Sequence, residues 1–203
     1  MRITEWEFEL LKTLGWKVRA ITVRQLQELL GGNVARRVRA LESKGLIEST
    51  YVSVGAYAFK CPLVRWPSKT WRTDLSRAPH QLTKRWRSLS CRQEQVLWIS
   101  QRGIELNGGF GGRLRQRLQL QHDLGTSHVF LCQTKSAQSR WVGEDWLRNR
   151  HDFPSLGKLP DAVLVDDRDR LSKVIEFGGQ YTKADLRRLH ETCSRLEVPY
   201  ELW

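Results

Sequence analysis

Asn33-Val-Ala-Arg-Arg-Val-Arg-Ala-Leu-Glu-Ser-Lys-Gly-Leu-Ile47 is the stretch that decides how this chain is read. Asn33 suits a helix N-cap, because its side-chain oxygen can accept from an amide of the first turn. Gly45 suits the residue just past the last turn, and Lys44 sets a cation at the negative end of the helix dipole. Val34, Val38 and Leu41 recur at i, i+4 and i+7 and form one apolar seam. Arg36 and Arg39 lie on the opposite face, with Arg37 and Lys44 at its edges. A helix built this way docks through its seam and presents cations outward. A solvated surface helix has the same local pattern, so the flanks decide between the two.

Upstream, Thr4 and Glu7 form a capping box that opens a helix reaching about Leu14, with Phe8 and Leu11 inward and Gly15 as the stop. Thr22 and Gln25 form a second box; Leu26, Leu29 and Leu30 face inward, and Gly31-Gly32 ends that helix. Three short helices with a glycine turn between the last two follow the helix-turn-helix plan. Downstream, Leu46–Val52 is β-prone, and Ala56–Phe59 is a candidate partner strand across Val54-Gly55. Val96–Ile99, leading into a helix capped by Ser100, is a second candidate for the returning arm. In that case residues 60–95 are an insertion in the wing. The residues Thr22–Leu30, Val34–Leu41 and Gly45-Leu46-Ile47 resemble the winged-helix fold of bacterial DNA-binding proteins. The resemblance implies duplex-DNA binding by Arg36, Arg37, Arg39 and Lys44.

The 203 residues carry a formal net charge of +12, and the pI is near 10.0. Residues 1–110 hold 19 Lys+Arg against 9 Asp+Glu, and residues 111–203 hold 15 against 13. The positive field therefore belongs to the first half, which points to a polyanionic partner. No apolar run is long enough to span a bilayer and no signal-peptide segment opens the chain, so double-stranded DNA and a cytoplasmic location are expected. Cys61, Cys91, Cys132 and Cys193 form no CxxC pair, which predicts reduced thiols rather than a zinc site or a disulfide framework.

Residues 60–92 set Trp66, Trp71 and Trp86 among many cations, with Asp74 as the one acidic residue. Pro62, Pro67 and Pro79 argue against long regular elements. Arg65, Arg72, Arg85 and Arg87 are candidate phosphate contacts. The tryptophans are expected to pin an irregular segment to the core.

Beyond the glycine-rich linker 107–112, the chain reads as a helix from Arg113 to about Leu124, with Leu114 and Leu118 inward. Ser127–Cys132 fits either a continued helix or a strand. Strands follow at Trp141–Gly143, Asp161–Val165 and Lys173–Phe177. An amphipathic helix over Thr182–Leu196 and a closing strand at Pro199–Trp203 complete the order. Pro160-Asp161 on one strand and Glu176 on the next resemble the core of the PD-(D/E)XK nucleases. That resemblance implies Mg²⁺ on Asp161 and Glu176, with a lysine two residues after the Glu orienting water. Gly178 stands there instead. Lys183 is the preferred substitute, with Lys173 and Gln180 as alternatives.

Over nearly its full length the chain also resembles the replication-relaxation family of plasmids and mobile elements. The shared marks are Leu41 to Leu46, the Leu-x-His-x-Leu run at Leu120–Leu124, Leu159-Pro160-Asp161-Ala162 and Ile175-Glu176. Gly178 departs from this family too, which has an acidic residue there. The expected architecture is thus α+β. Residues 1–107 form a winged helix-turn-helix with an expanded wing, its basic insertion at about 60–95. Residues 113–203 form a mixed α/β domain resembling a restriction-endonuclease core. The expected function is DNA binding in replication, transfer or transcription control, without catalysis or a cofactor, as a homodimer or with a replication or recombination partner. A Mg²⁺-dependent DNA endonuclease is the alternative.

Overall fold

The computed structural model describes residues 3–67, 73–111, 116–150, 158–179 and 181–203. Its first helix, α1 (Glu5–Lys12), starts where the capping box places it. The Thr4 amide donates to Glu7 at 2.8 Å, and the Glu7 amide donates to the Thr4 hydroxyl at 3.3 Å. The helix does not stop at Gly15: one π turn, Thr13–Lys17, carries the chain past it. Strand β1 (Ile21–Thr22) leads to α2 (Val23–Leu30), which opens on the Thr22–Gln25 box. Gly31 and Gly32, both at positive φ, turn the chain into α3 (Val34–Ser43). Then come β2 (Ile47–Gly55), β3 (Val64–Trp66), α4 (Ala78–Arg87), β4 (Cys91–Ile99), α5 (Gln101–Asn107) and α6 (Arg117–Cys132). The remainder is α7 (Lys135–Ser139), β5 (Trp141–Gly143), α8 (Glu144–Arg148), β6 (Ala162–Val165), β7 (Leu171–Glu176), α9 (Lys183–Arg195) and β8 (Tyr200–Leu202). The class is α+β. No helix among the described residues is long and apolar enough to cross a membrane, and no disulfide forms among them.

The chain divides into two compact units, but not at the glycine-rich linker. Unit 1 is residues 1–56 with 91–131; unit 2 is residues 57–90 with 132–203. The basic insertion therefore belongs with the C-terminal part, because β3 pairs with β8 and α4 buries Ala78 and Leu82 against Leu186 and Leu202. Helix α6 up to Leu131 belongs with the N-terminal part. The Ser127 hydroxyl donates to the Ala20 carbonyl at 2.5 Å, and the Gln25 amide group donates to the Leu124 carbonyl at 3.0 Å.

Unit 1 holds an antiparallel sheet of order β1-β4-β2. The returning arm is β4, paired with β2 in nine consecutive positions from Ile47↔Ile99 to Gly55↔Cys91. Ala56–Phe59 forms no strand. The core takes Leu10, Leu11, Leu14, Leu26, Val38 and Leu41. Phe8, expected inward, is half exposed, because the buried side of α1 runs through Glu7, Leu10 and Leu11. Leu118 is likewise exposed on α6, whose buried side carries Leu120 and Leu124, and Ser127–Cys132 continues that helix. Leu114 lies outside the described residues.

Unit 2 holds a sheet of order β3-β8-β7-β6-β5, antiparallel except for β7 and β8, which are parallel and joined through α9. Trp66, Val163, Val174, Cys193 and Tyr200 form its main core cluster. Trp66 pins β3 as expected, stacked on Tyr200 with centroids 5.6 Å apart.

One close approach tests the packing of unit 1. Gly103 on α5 has no room for a side chain: a Cβ there would sit 2.2 Å from the Leu46 carbonyl oxygen and 2.7 Å from Ile99. Gly103→Ala should destabilise the protein by about 1–3 kcal/mol through overpacking, read by urea denaturation. Gly179→Ala, where nothing lies within 4 Å, should be close to neutral. Equal effects would show that α5 is not seated against Leu46.

Candidate functional site

Asn33 fixes the start of α3 by accepting from the Arg36 amide at 3.2 Å. Val34, Val38 and Leu41 are buried, and Arg36, Arg37 and Arg39 are all exposed. Arg37 does not hang free: its guanidinium lies 4.9 Å from the Trp6 ring centroid, a cation–π contact that steadies it beside α1. Lys44 is engaged elsewhere. Its ammonium bridges to the buried Glu7 at 2.5 Å. Burial pushes the Glu7 carboxyl up, but Lys44 and the Thr4 donors outweigh it and hold it below its ordinary value. The cationic face is thus Arg36, Arg37 and Arg39, without Lys44.

The four arginines expected to hold phosphates part company. Arg65 pairs at 3.2 Å with Glu201, a buried carboxylate that also takes Lys173 at 3.0 Å. Burial raises Glu201, and these cations with Gln133 bring it below its usual range. Arg85 lies 4.6 Å from the Phe59 ring centroid, within a cluster that includes Tyr57, Trp86 and Phe177. Burial lowers its pKa, and its Nη1 is a buried donor without an acceptor among the described residues. Arg87 is exposed on α4. Arg72, with Lys69 and Trp71, lies outside the described residues.

Asp161 and Glu176 do meet. Asp161 precedes β6 and Glu176 ends β7, and the register Ala162↔Ile175 brings them to one end of the sheet. Asp161 accepts from the Phe177 amide at 2.8 Å, and Glu176 accepts from the Tyr181 hydroxyl at 2.7 Å. The Lys158 ammonium donates to the same hydroxyl at 2.7 Å. Glu176 is raised well above its ordinary value, first by burial and then by the charge of Asp161; Lys158 and Tyr181 pull the other way. Burial and the two carboxylates also raise Tyr181, so its hydroxyl keeps its proton. Glu176, Lys158 and Tyr181 line a cavity of about 560 Å³ with Asp185 and Arg188 of α9.

The lysine of this cavity is Lys158, which no local pattern marks. Lys183 is exposed at the start of α9 and does not line it, Lys173 is held by Glu201, and Gln180 lies outside the described residues. Gly178 has a steric reason. A Cβ there would stand 2.7 and 2.8 Å from the two methyl carbons of Leu82 on α4, so the insertion fills the space a side chain at 178 would need. Among the described residues, no three His, Cys, Asp or Glu side chains gather closely enough to hold a metal ion.

No family model, curated protein or solved structure matches the chain.

The Glu7–Lys44 pair can be tested by pH. The folded pKa of Glu7 lies below its unfolded value, so the pair's contribution is full above the ordinary glutamate range and disappears as pH falls through the folded pKa. Lys44→Met should cost about 1.5–3 kcal/mol at pH 7, the scale of a hydrogen bond to a charged group. That deficit should shrink toward pH 3 in urea melts. A deficit independent of pH would mean that the lysine stem acts through packing and its charge adds nothing.

Proposed function

We propose that this protein binds duplex DNA through unit 1 and does not cleave it. One observation carries the reading: α3 follows a glycine turn, buries Val34, Val38 and Leu41, and exposes Arg36, Arg37 and Arg39. The order α1-β1-α2-α3-β2-β4, with β1 pairing the returning strand, follows the plan of a winged helix. In that arrangement α3 enters the major groove and the β2–β4 hairpin is the wing. Arginines there contact phosphates or reach guanine edges in bidentate fashion. The resemblance of the sequence to replication-relaxation proteins supports a role in replication, transfer or transcription control of a plasmid or mobile element.

The meeting of Asp161 and Glu176 at one sheet end favours a second reading, a Mg²⁺-dependent endonuclease. The chemistry of the pair supports the first. A divalent cation needs oxygens with their charge and lone pairs available. Here each carboxylate already accepts from a protein donor, and the Lys158 ammonium donates to the same Tyr181 hydroxyl that donates to Glu176. The space for a water-orienting lysine at 178 is taken by Leu82. On this reading unit 2 has a nuclease-like core whose acidic pair is structural.

Arg36→Ala with Arg39→Ala should weaken duplex binding by about 1–3 kcal/mol for each bidentate arginine–base pairing removed, with the fold retained by circular dichroism. Unchanged affinity in a gel-shift titration would move recognition away from α3. Incubation of the protein with supercoiled DNA and Mg²⁺ or Mn²⁺ should leave the DNA intact. Nicking that disappears in Asp161→Ala and Glu176→Ala would establish the endonuclease instead.

A further inference from the structure

Helix α4 has no acidic residue. Its inner side is accounted for: Ala78 and Leu82 are buried, and Arg85 and Trp86 turn toward the aromatic cluster around Phe59 and Phe177. The outer side is a stripe of His80, Thr83, Lys84, Arg87 and Ser88 along a shallow groove of about 370 Å³. His80, Lys84 and Arg87 are exposed or half-buried, and among the described residues no carboxylate pairs with any of them. Arg77, at the other end of the helix, is near Asp74 instead.

We infer that this outer face of α4 is a second phosphate-binding site, engaging the sugar-phosphate backbone of nucleic acid from unit 2. Three properties specify the ligand. Lys84 and Arg87 supply two cations one helical turn apart, and their place near the C-terminal end of α4 suits the helix dipole and fixes them on an ordered helix. Thr83 adds a hydroxyl beside them, a donor of the kind that accompanies cations in backbone contacts. The stripe from His80 to Arg87 runs about 10 Å along the helix axis at 1.5 Å per residue, and phosphates of one strand succeed one another at about 3.4 Å along the duplex axis. A row of phosphates matches this stripe better than a single anion does.

The choice of nucleic acid over another polyanion rests on the reading of the chain as a DNA-binding protein. The site itself is independent of α3. Of the four arginines that the sequence suggests, this site keeps Arg87 and adds Lys84, while Arg65 and Arg85 are engaged within unit 2.

The test is fluorescence anisotropy of the full chain with a labelled 20-base-pair duplex over a range of salt. Three proteins are compared: the parent, Lys84→Gln/Arg87→Gln, and Arg36→Ala/Arg39→Ala. Each phosphate neutralised contributes about 0.9 to the slope of log affinity against log salt. The α4 variant should therefore lower the slope by about 1.8, with sequence preference unchanged. An unchanged slope would overturn the inference. Labelled polyglutamate binding that is lost in the α4 variant, with the DNA slope unchanged, would assign the face to an acidic protein. If the α3 variant binds like the parent while the α4 variant has the shallower slope, the α3 reading fails and this one stands. The reverse result removes this site and leaves α3. Should the double variant fail to fold, Arg87→Gln alone should lower the slope by about 0.9.

Discussion

The ladder between β2 and β4 is the constraint on which the rest depends. Nine residue pairs hold these strands in one register from Ile47↔Ile99 to Gly55↔Cys91, yet the chain between them leaves to build part of another unit. Both ends of the excursion are thereby fixed side by side. A long loop closed in this way adds little entropic cost per extra residue, so residues 57–90 can be elaborated without disturbing unit 1. What they supply to unit 2 is specific: an edge strand, β3, on β8, and a helix, α4, that closes a core with Leu186 and Leu202.

Ion pairs on buried carboxylates explain why net charge is a poor guide to individual contacts. A buried carboxylate without a partner is expensive, and this protein buries several. Glu7 takes Lys44, and Glu201 takes Arg65 and Lys173. These cations neutralise the interior and contribute little field outside. Cations that stay exposed are found where a helix buries one face in apolar residues and turns the other outward, as on α3 and α4.

What is legible in the sequence is local. The boxes at Thr4 and Thr22, and the helix from Thr182, are set by residues three apart, and the structure has each of them there. Glu176 and Asp161 are legible because strand spacing brings them to one sheet end. The rest depends on partners far along the chain. Nothing near Val64 marks a strand; β3 exists because Leu202 and Tyr200 pair with it. Nothing near Lys158 marks it for the cavity. The domain boundary is hidden for the same reason: glycines at 107–112 announce a flexible link, but α6 beyond them is bound by Gln25 and Ala20.

Position 178 joins these threads. In the nuclease-like pattern a lysine two residues after the glutamate is the group that makes an acidic pair catalytic. Here the chain reaches 178 with its amide donating to the Trp203 carbonyl at 3.0 Å, continuing the β7–β8 pairing, and with Leu82 where a Cβ would stand. Restoring a side chain there requires the Leu82 side chain to shift. That shift would disturb the core that Leu82 shares with Leu186 and Leu202. A lysine at 178 and the present position of Leu82 therefore compete for the same space. The helix whose Leu82 crowds position 178 is thus also the helix whose outer face carries Lys84 and Arg87.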